Sequence, residues 1–206
     1  MGVRVSPWAQ ITNMERKIIL ASTSPKRKML LAKAGLKFKV VPSDYEEDMT
    51  LPLPPDKLVG FLSKGKGESI AIKYKNAIII SADTIIYYKG KIFGKPHTNK
   101  KAFEMLSELS GHTHSAFTGF AIIDTKNKKI ISKAVETKIT FNELSIEMIN
   151  EYIENGNPLK FAGAYTLRDV EERNFVKNVK GDWDNVIGLP VKVVMKELKK
   201  FGVIIS

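Results

Sequence analysis

The sequence predicts an α/β protein built on a mixed, twisted sheet flanked by helices. Three observations lead there. Short β-branched apolar runs alternate with segments of helical periodicity along the whole chain. Two pairs of runs are joined by short turn segments, which makes hairpins and therefore antiparallel pairing. One run, Asn76–Ala82, is almost unbroken apolar, the kind of strand buried on both faces.

Element by element, Lys17–Ala21 is a short buried strand. Ser24 caps a helix that has Pro25 at its first position. Met29, Leu30, Leu31 and Ala34 form its apolar side, and Gly35 ends it. Lys37–Val41 is the next strand. The proline-rich stretch Leu51–Pro55 cannot continue a helix. Asp56 is then expected to cap a helix reaching about Lys75, weakened by Gly60, Gly65 and Gly67 and so dependent on packing. The strand Asn76–Ala82 follows, and Ile85–Phe93 folds as a hairpin about Lys89-Gly90. Thr98 caps a helix with Ala102, Phe103, Leu106 and Leu109 inward and Gly111 as its stop. Ala116–Asp124 and Ile130–Phe141 form a second hairpin. Ser145–Asn155 is a helix with Ile146, Ile149, Tyr152 and Ile153 on one face. A strand at Phe175–Val179 and a helix at Pro190–Phe201 close the chain. Residues 1–13 read as a poorly ordered leader, with Met14 as an alternative start.

Composition narrows the function. A chain of 206 residues buries roughly 70% of its unfolded surface and needs no disulfide or structural metal to fold. It has no cysteine, which excludes thiol nucleophiles and Cys-based zinc sites and fits a cytoplasmic setting. No apolar run reaches the ~18 residues that span a bilayer. The net charge of +11 favours anionic partners. The cations are scattered, with no basic stripe interleaved with aromatics, so nucleic acid is not the first choice of partner. Neither G-x-x-x-x-G-K-[ST] nor G-x-G-x-x-G occurs, which removes the common phosphate-loop readings.

Several groups of residues have chemistry to offer. Ser22-Thr23-Ser24-Pro25-Lys26-Arg27-Lys28 joins a strand to a helix, where free backbone N–H groups, hydroxyls and cations make an anion pocket. Arg27 can grip phosphate oxygens with its planar fork, and Lys26 acts as a point charge. An ordinary Ser-Pro helix start with surface cations is the alternative. Ser81-Ala82-Asp83-Thr84 ends a buried strand in a carboxylate, at the end where α/β proteins place ligands. Asp83 there can hold a divalent metal or activate a water; otherwise it is a turn residue. The acidic set Asp44, Glu46, Glu47 and Asp48 can complete a metal site or be a solvated loop. Gly94-Lys95-Pro96 presents a lysine from a rigid turn. Phe161–Arg168 and Asp182–Pro190 suggest close backbone packing near a site, or architecture alone. His97, His112 and His114 have no metal-ligand spacing.

These pieces, in order, resemble the Maf family, the septum-formation-inhibitor-like nucleotide pyrophosphatases. The resemblance rests on Leu20-Ala-Ser-Thr-Ser-Pro-Lys-Arg27, Ser81-Ala-Asp-Thr84, Gly94-Lys-Pro96, Leu109-Ser-Gly-His-Thr113, Ala162-Gly-Ala-Tyr165 and Val186-Ile-Gly-Leu-Pro190. It implies a single domain over residues 14–206, made of two lobes with a cleft and related to the inosine-triphosphatase-like pyrophosphatases. It implies hydrolysis of a nucleoside triphosphate to the monophosphate and pyrophosphate, with Mg²⁺ or Mn²⁺, in a possible homodimer. By position, Asp83 matches the catalytic acid and, with Glu47, the metal-binding carboxylates. Ser22, Arg27, Lys66 and Lys95 match the phosphate-handling residues. Lys26, Thr84 and Arg168 match positions that differ between substrate subgroups. The pyrimidine group, acting on dTTP and UTP, shares the Asp83-Thr84 pair but has Gln where this chain has Arg168, and the family usually has Arg in place of Lys26. The group acting on 7-methyl-GTP has Trp and Gln in place of Lys26 and Thr84. Pyrimidine triphosphates are therefore favoured. A hydrolase of modified nucleotides and a non-enzymatic nucleic-acid or division regulator are the alternatives.

Overall fold

The computed structural model describes residues 16–203, so the expected leader and Met14 lie outside the described residues. Seven strands and seven α-helices are described. β1 (Lys17–Leu20), α1 (Pro25–Lys33) and β2 (Lys39–Val40) lead into α2 (Pro55–Ala71). β3 (Ala77–Tyr88) and β4 (Lys91–Phe93) precede α3 (Asn99–Leu109). β5 (Thr113–Asp124) and β6 (Lys129–Phe141) form the long hairpin, followed by α4 (Ile146–Asn155). α5 (Leu167–Glu172), β7 (Val176–Lys180), α6 (Trp183–Ile187) and α7 (Val191–Lys199) complete the chain. Two single-turn 3₁₀ helices, Pro158–Lys160 and Ala162–Ala164, lie between α4 and α5.

The sheet order is β2-β1-β3-β5-β6-β7, with β4 beside β3. β1 pairs in parallel with β2 and β3; every other pairing is antiparallel. The mixed sheet expected from the sequence is therefore present. Side chains alternate across it. Ile78, Ile80 and Ala82 of β3 pack with α1 and α7, through Leu31 and Leu198. Ile79 and Ile85 face α2, against Ile70 and Leu62. A further core gathers Tyr88, Leu106, Phe141, Tyr152 and Phe175 under α3 and α4.

Several local expectations need correction. β3 does not end at Ala82. It runs through Asp83 and Thr84 to Tyr88, because β5 pairs with it without a break from Ile78 to Tyr87. Asp56 is not the cap of α2: Pro54 holds that position, and Asp56 lies in the first turn, where its negative charge favours the positive end of the helix dipole. α5 and α6 fall where no helix was expected. Ile146 is 61% exposed and Met29 is 49% exposed, so neither lies on the buried face assigned to it.

Candidate active site

The floor of the site is a stretch of strand edge. β1 stops at Leu20, opposite Ile80, and β4 joins only at Ile86. Residues 81–85 of β3 are thus paired on the β5 side alone among the described strands. A cleft of about 730 Å³ opens over this stretch. Neighbouring side chains of a strand leave opposite faces, so Asp83 and Thr84 serve it from different sides.

On the Asp83 side, α2 lies unusually close to the sheet. Gly119 of β5, directly opposite Asp83, has no room for a Cβ, because the Val59 carbonyl and the Gly60 N–H of α2 occupy that space. Gly67 lies against Ser81 and Ile123 in the same way, and the Ser81 hydroxyl donates to the Ser63 carbonyl at 2.6 Å. A glycine costs a helix ~1 kcal/mol relative to alanine; here its missing side chain brings Lys66 to Asp83. Lys66 Nζ is 2.5 Å from Asp83 Oδ1 and 2.8 Å from Glu47 Oε1. Asp83 is only 5% exposed, and a buried carboxylate needs such a partner.

On the Thr84 side, the turn after β1 behaves as its sequence suggests. Ser24 caps α1 through the Arg27 N–H, with Pro25 at the first position. The buried Ser22 hydroxyl accepts from the Ser24 N–H at 3.2 Å and from Arg27 Nη1 at 3.4 Å. Arg27 also donates from Nε to the Gly188 carbonyl at 2.8 Å and from Nη2 to Thr84 Oγ1 at 3.1 Å. Three of its five N–H groups are thereby committed to protein, leaving two for an anion. Burial pulls the guanidinium below its ordinary pKa, while the carboxylates of Asp83 and Glu47 act in the opposite direction.

The remaining walls come from loops. Lys95 stands exposed at the lip, just after β4, and the Gly163 N–H donates to the Gly94 carbonyl at 3.0 Å, tying that loop to the turn before α5. Lys26 donates to Thr166 Oγ1 and stands 4.6 Å over the Phe161 ring. Ser22, Lys26, Arg27, Glu47, Lys66, Asp83, Thr84 and Lys95 all line this one cleft. The backbone of Arg168 lies in the first turn of α5, and its side chain is outside what the structure describes.

Asp83 lies in mid-strand, not at the strand end expected for it. Of the four acidic loop residues, only Glu47 turns into the cleft. Asp44 pairs with Lys73 at 3.2 Å, and Asp48 accepts from the Thr50 N–H at 2.9 Å. Thr84, expected at a substrate-discriminating position, has its hydroxyl on Arg27 and on Thr118. His112 and His114 take separate places: His112 packs beside Tyr88, while buried His114 bonds the Tyr165 hydroxyl through Nε2 at 2.7 Å. His97 and Lys160 also line the cleft without having been expected there, as do Phe161 and Thr166 from the stretch read as packing near a site. Thr166 had a usable signal, a Thr directly before a helix start. Lys160 had none, being one exposed lysine among many.

For a divalent cation, the donor set is Asp83 and Glu47; no group of three or more His, Asp or Glu converges among the described residues. Two carboxylates suit Mg²⁺, which is commonly held by one or two carboxylates and completes its shell with phosphate oxygens and water. The residues therefore fit such an ion in the presence of a phosphorylated ligand.

Residues 17–201 match the family model described as Maf-like protein. A dTTP/UTP pyrophosphatase of Bacillus cereus is 40% identical over 188 residues, covering 91% of this chain and 97% of that protein. A dTTP/UTP pyrophosphatase of Methanococcoides burtonii is 39% identical over 189 residues, covering 91% and 96%. The matched span takes in β1 through α7 and every residue of the cleft, and the chain belongs to the Maf-like protein family.

Proposed function

We propose that this chain hydrolyses nucleoside triphosphates, with a preference for dTTP and UTP, to the monophosphate and pyrophosphate. One observation carries the reading: a buried carboxylate, Asp83, shares a single cleft with the cations Arg27, Lys66 and Lys95. The pyrimidine preference comes from the names of relatives that align over nearly their whole length.

In this mechanism the triphosphate lies across the open edge of β3. Arg27 holds phosphate oxygens with its two uncommitted N–H groups, beside the N-terminus of α1. Lys66 and Lys95 spread the charge that develops as the α–β anhydride opens. Asp83 orients a water and takes its proton. The water oxygen forms the new P–O bond, and the bridging oxygen leaves with pyrophosphate. Mg²⁺ or Mn²⁺ held by Asp83 and Glu47 would supply charge neutralisation at the phosphate oxygens. Lys26, with Phe161 and Thr166, forms a separate wall that suits the nucleoside end.

The test is a panel of dTTP, UTP, the other common triphosphates and 7-methyl-GTP, with and without Mg²⁺ or Mn²⁺, followed by pyrophosphate release. Turnover led by dTTP and UTP supports the proposal. Activity confined to 7-methyl-GTP, or no turnover of any triphosphate, overturns it.

A further inference from the structure

Behind the cleft wall runs a chain of hydroxyls whose proton order is determined. Thr118 of β5 lies directly opposite Thr84 of β3, and the two Oγ1 atoms are 3.0 Å apart. Thr118 Oγ1 donates to the Asn185 carbonyl at 2.7 Å. A hydroxyl has one proton. Thr118 spends its proton on Asn185, so Thr84 must donate to Thr118. The lone pairs of Thr84 are then left to face Arg27 Nη2, which donates to them at 3.1 Å. Every donor meets an acceptor only in this order.

Asn185 anchors the far end. It is fully buried, and its Nδ2 donates to the Ala116 carbonyl at 3.2 Å and to Thr137 Oγ1 at 3.1 Å. It lies in α6, whose C-cap is Gly188, and the Gly188 carbonyl accepts from Arg27 Nε. Asn185 therefore governs two of the three anchors of Arg27: one through Thr118 and Thr84, the other through the end of α6. Thr118 and Asn185 are both 0% exposed, and neither lines the cleft.

We propose that Thr118 and Asn185 are positioning residues that set the plane of the Arg27 guanidinium for phosphate. The inference rests on the reading of Arg27 as a phosphate-gripping residue. Thr118→Val keeps the shape and the strand preference and removes the relay proton's acceptor. Without it the Thr84 proton has no acceptor, the orientation of the hydroxyl is no longer fixed, and the anchor that Thr84 offers Arg27 Nη2 loosens.

The experiment measures dTTP turnover, inorganic pyrophosphate binding by calorimetry, and melting temperature, in wild type, Thr118→Val, Thr118→Ser, Arg27→Lys and the Thr118→Val/Arg27→Lys pair. Thr118→Val is expected to lose ~10- to 100-fold in kcat/KM, the scale of a misplaced binding group, and to bind pyrophosphate more weakly. Thr118→Ser restores both. In the Arg27→Lys background Thr118→Val has little further effect, because the fork it served is gone. Wild-type values for folded Thr118→Val, or an equal loss in both backgrounds, overturns the proposal. If Thr118→Val does not fold, Thr84→Val cuts the same relay from the cleft side and is read against Arg27→Lys in the same way. Absence of wild-type turnover would overturn the proposed function alone, and the pyrophosphate affinities would still decide the relay.

Discussion

Lys66 Nζ sits between two carboxylates, 2.5 Å from Asp83 and 2.8 Å from Glu47, and only Asp83 is deeply buried. The ammonium is the counter-charge that permits an acid inside the sheet. It is also one of the cations lining the cleft proposed to take the triphosphate. One side chain thus links the stability of the fold to the chemistry proposed for the cleft.

Lys66→Met removes that counter-charge. Breaking a buried pair costs about 3–5 kcal/mol, less where one partner is as exposed as Glu47. The melting temperature should fall, and kcat should drop ~10²–10³-fold. Added Mg²⁺ should raise the melting temperature of the variant more than that of wild type, since the ion can replace the ammonium between the two carboxylates. Equal shifts, followed by scanning calorimetry, would argue against a divalent site there.

Gly119→Ala places a methyl group where the Val59 carbonyl already lies. Overpacking of this kind costs about 1–3 kcal/mol. Because the obstacle is helix backbone, α2 must move as a unit and carry Lys66 away from Asp83. Urea unfolding should show the loss, together with a lower kcat. An unchanged midpoint would mean that the helix does not hold the spacing.

How far the sequence alone leads can be judged at these same residues. The helix start at Ser24-Pro25 is readable because capping and proline placement are local signals. The strand carrying Asp83 reads as too short because an acid and a threonine interrupt an apolar run. What carries the strand through them is pairing with β5, where Thr118 lies 34 residues beyond Thr84, and an ammonium from another element. Lys66 has no local pattern of its own and enters only through the family resemblance, and Glu47 is one of four loop acids until the resemblance singles it out. α6 escapes notice because five residues capped by Gly188 look like loop, although buried Asn185 fastens them to β5 and β6. Periodicity places Ile146 inward, yet the first position of α4 projects beyond the core.

His114 offers a pH test that is independent of catalysis. Burial lowers its pKa from 6.5 to about 4. The unfolded chain then takes up a proton near pH 6.5, while the folded chain stays neutral there. Stability from this group is fully present above pH 6.5 and is lost as the pH falls toward 4. Between pH 6.5 and 5 the loss should be about 1.5 kcal/mol. His114→Gln should flatten that slope in urea unfolding at several pH values. An unchanged slope would remove His114 as its source.

The central claim is that the Asp83 carboxylate performs the chemistry in a cleft of cations. Asp83→Asn keeps the size of the side chain and removes its charge and basicity. The decisive measurement is pyrophosphate release from dTTP by this variant, with its melting curve recorded beside it. The expected result is a folded protein whose turnover is lower by ~10³-fold or more, taking single-donor losses of 10²–10³ as the lower reference. A folded Asp83→Asn protein that releases pyrophosphate at close to the wild-type rate would contradict the account.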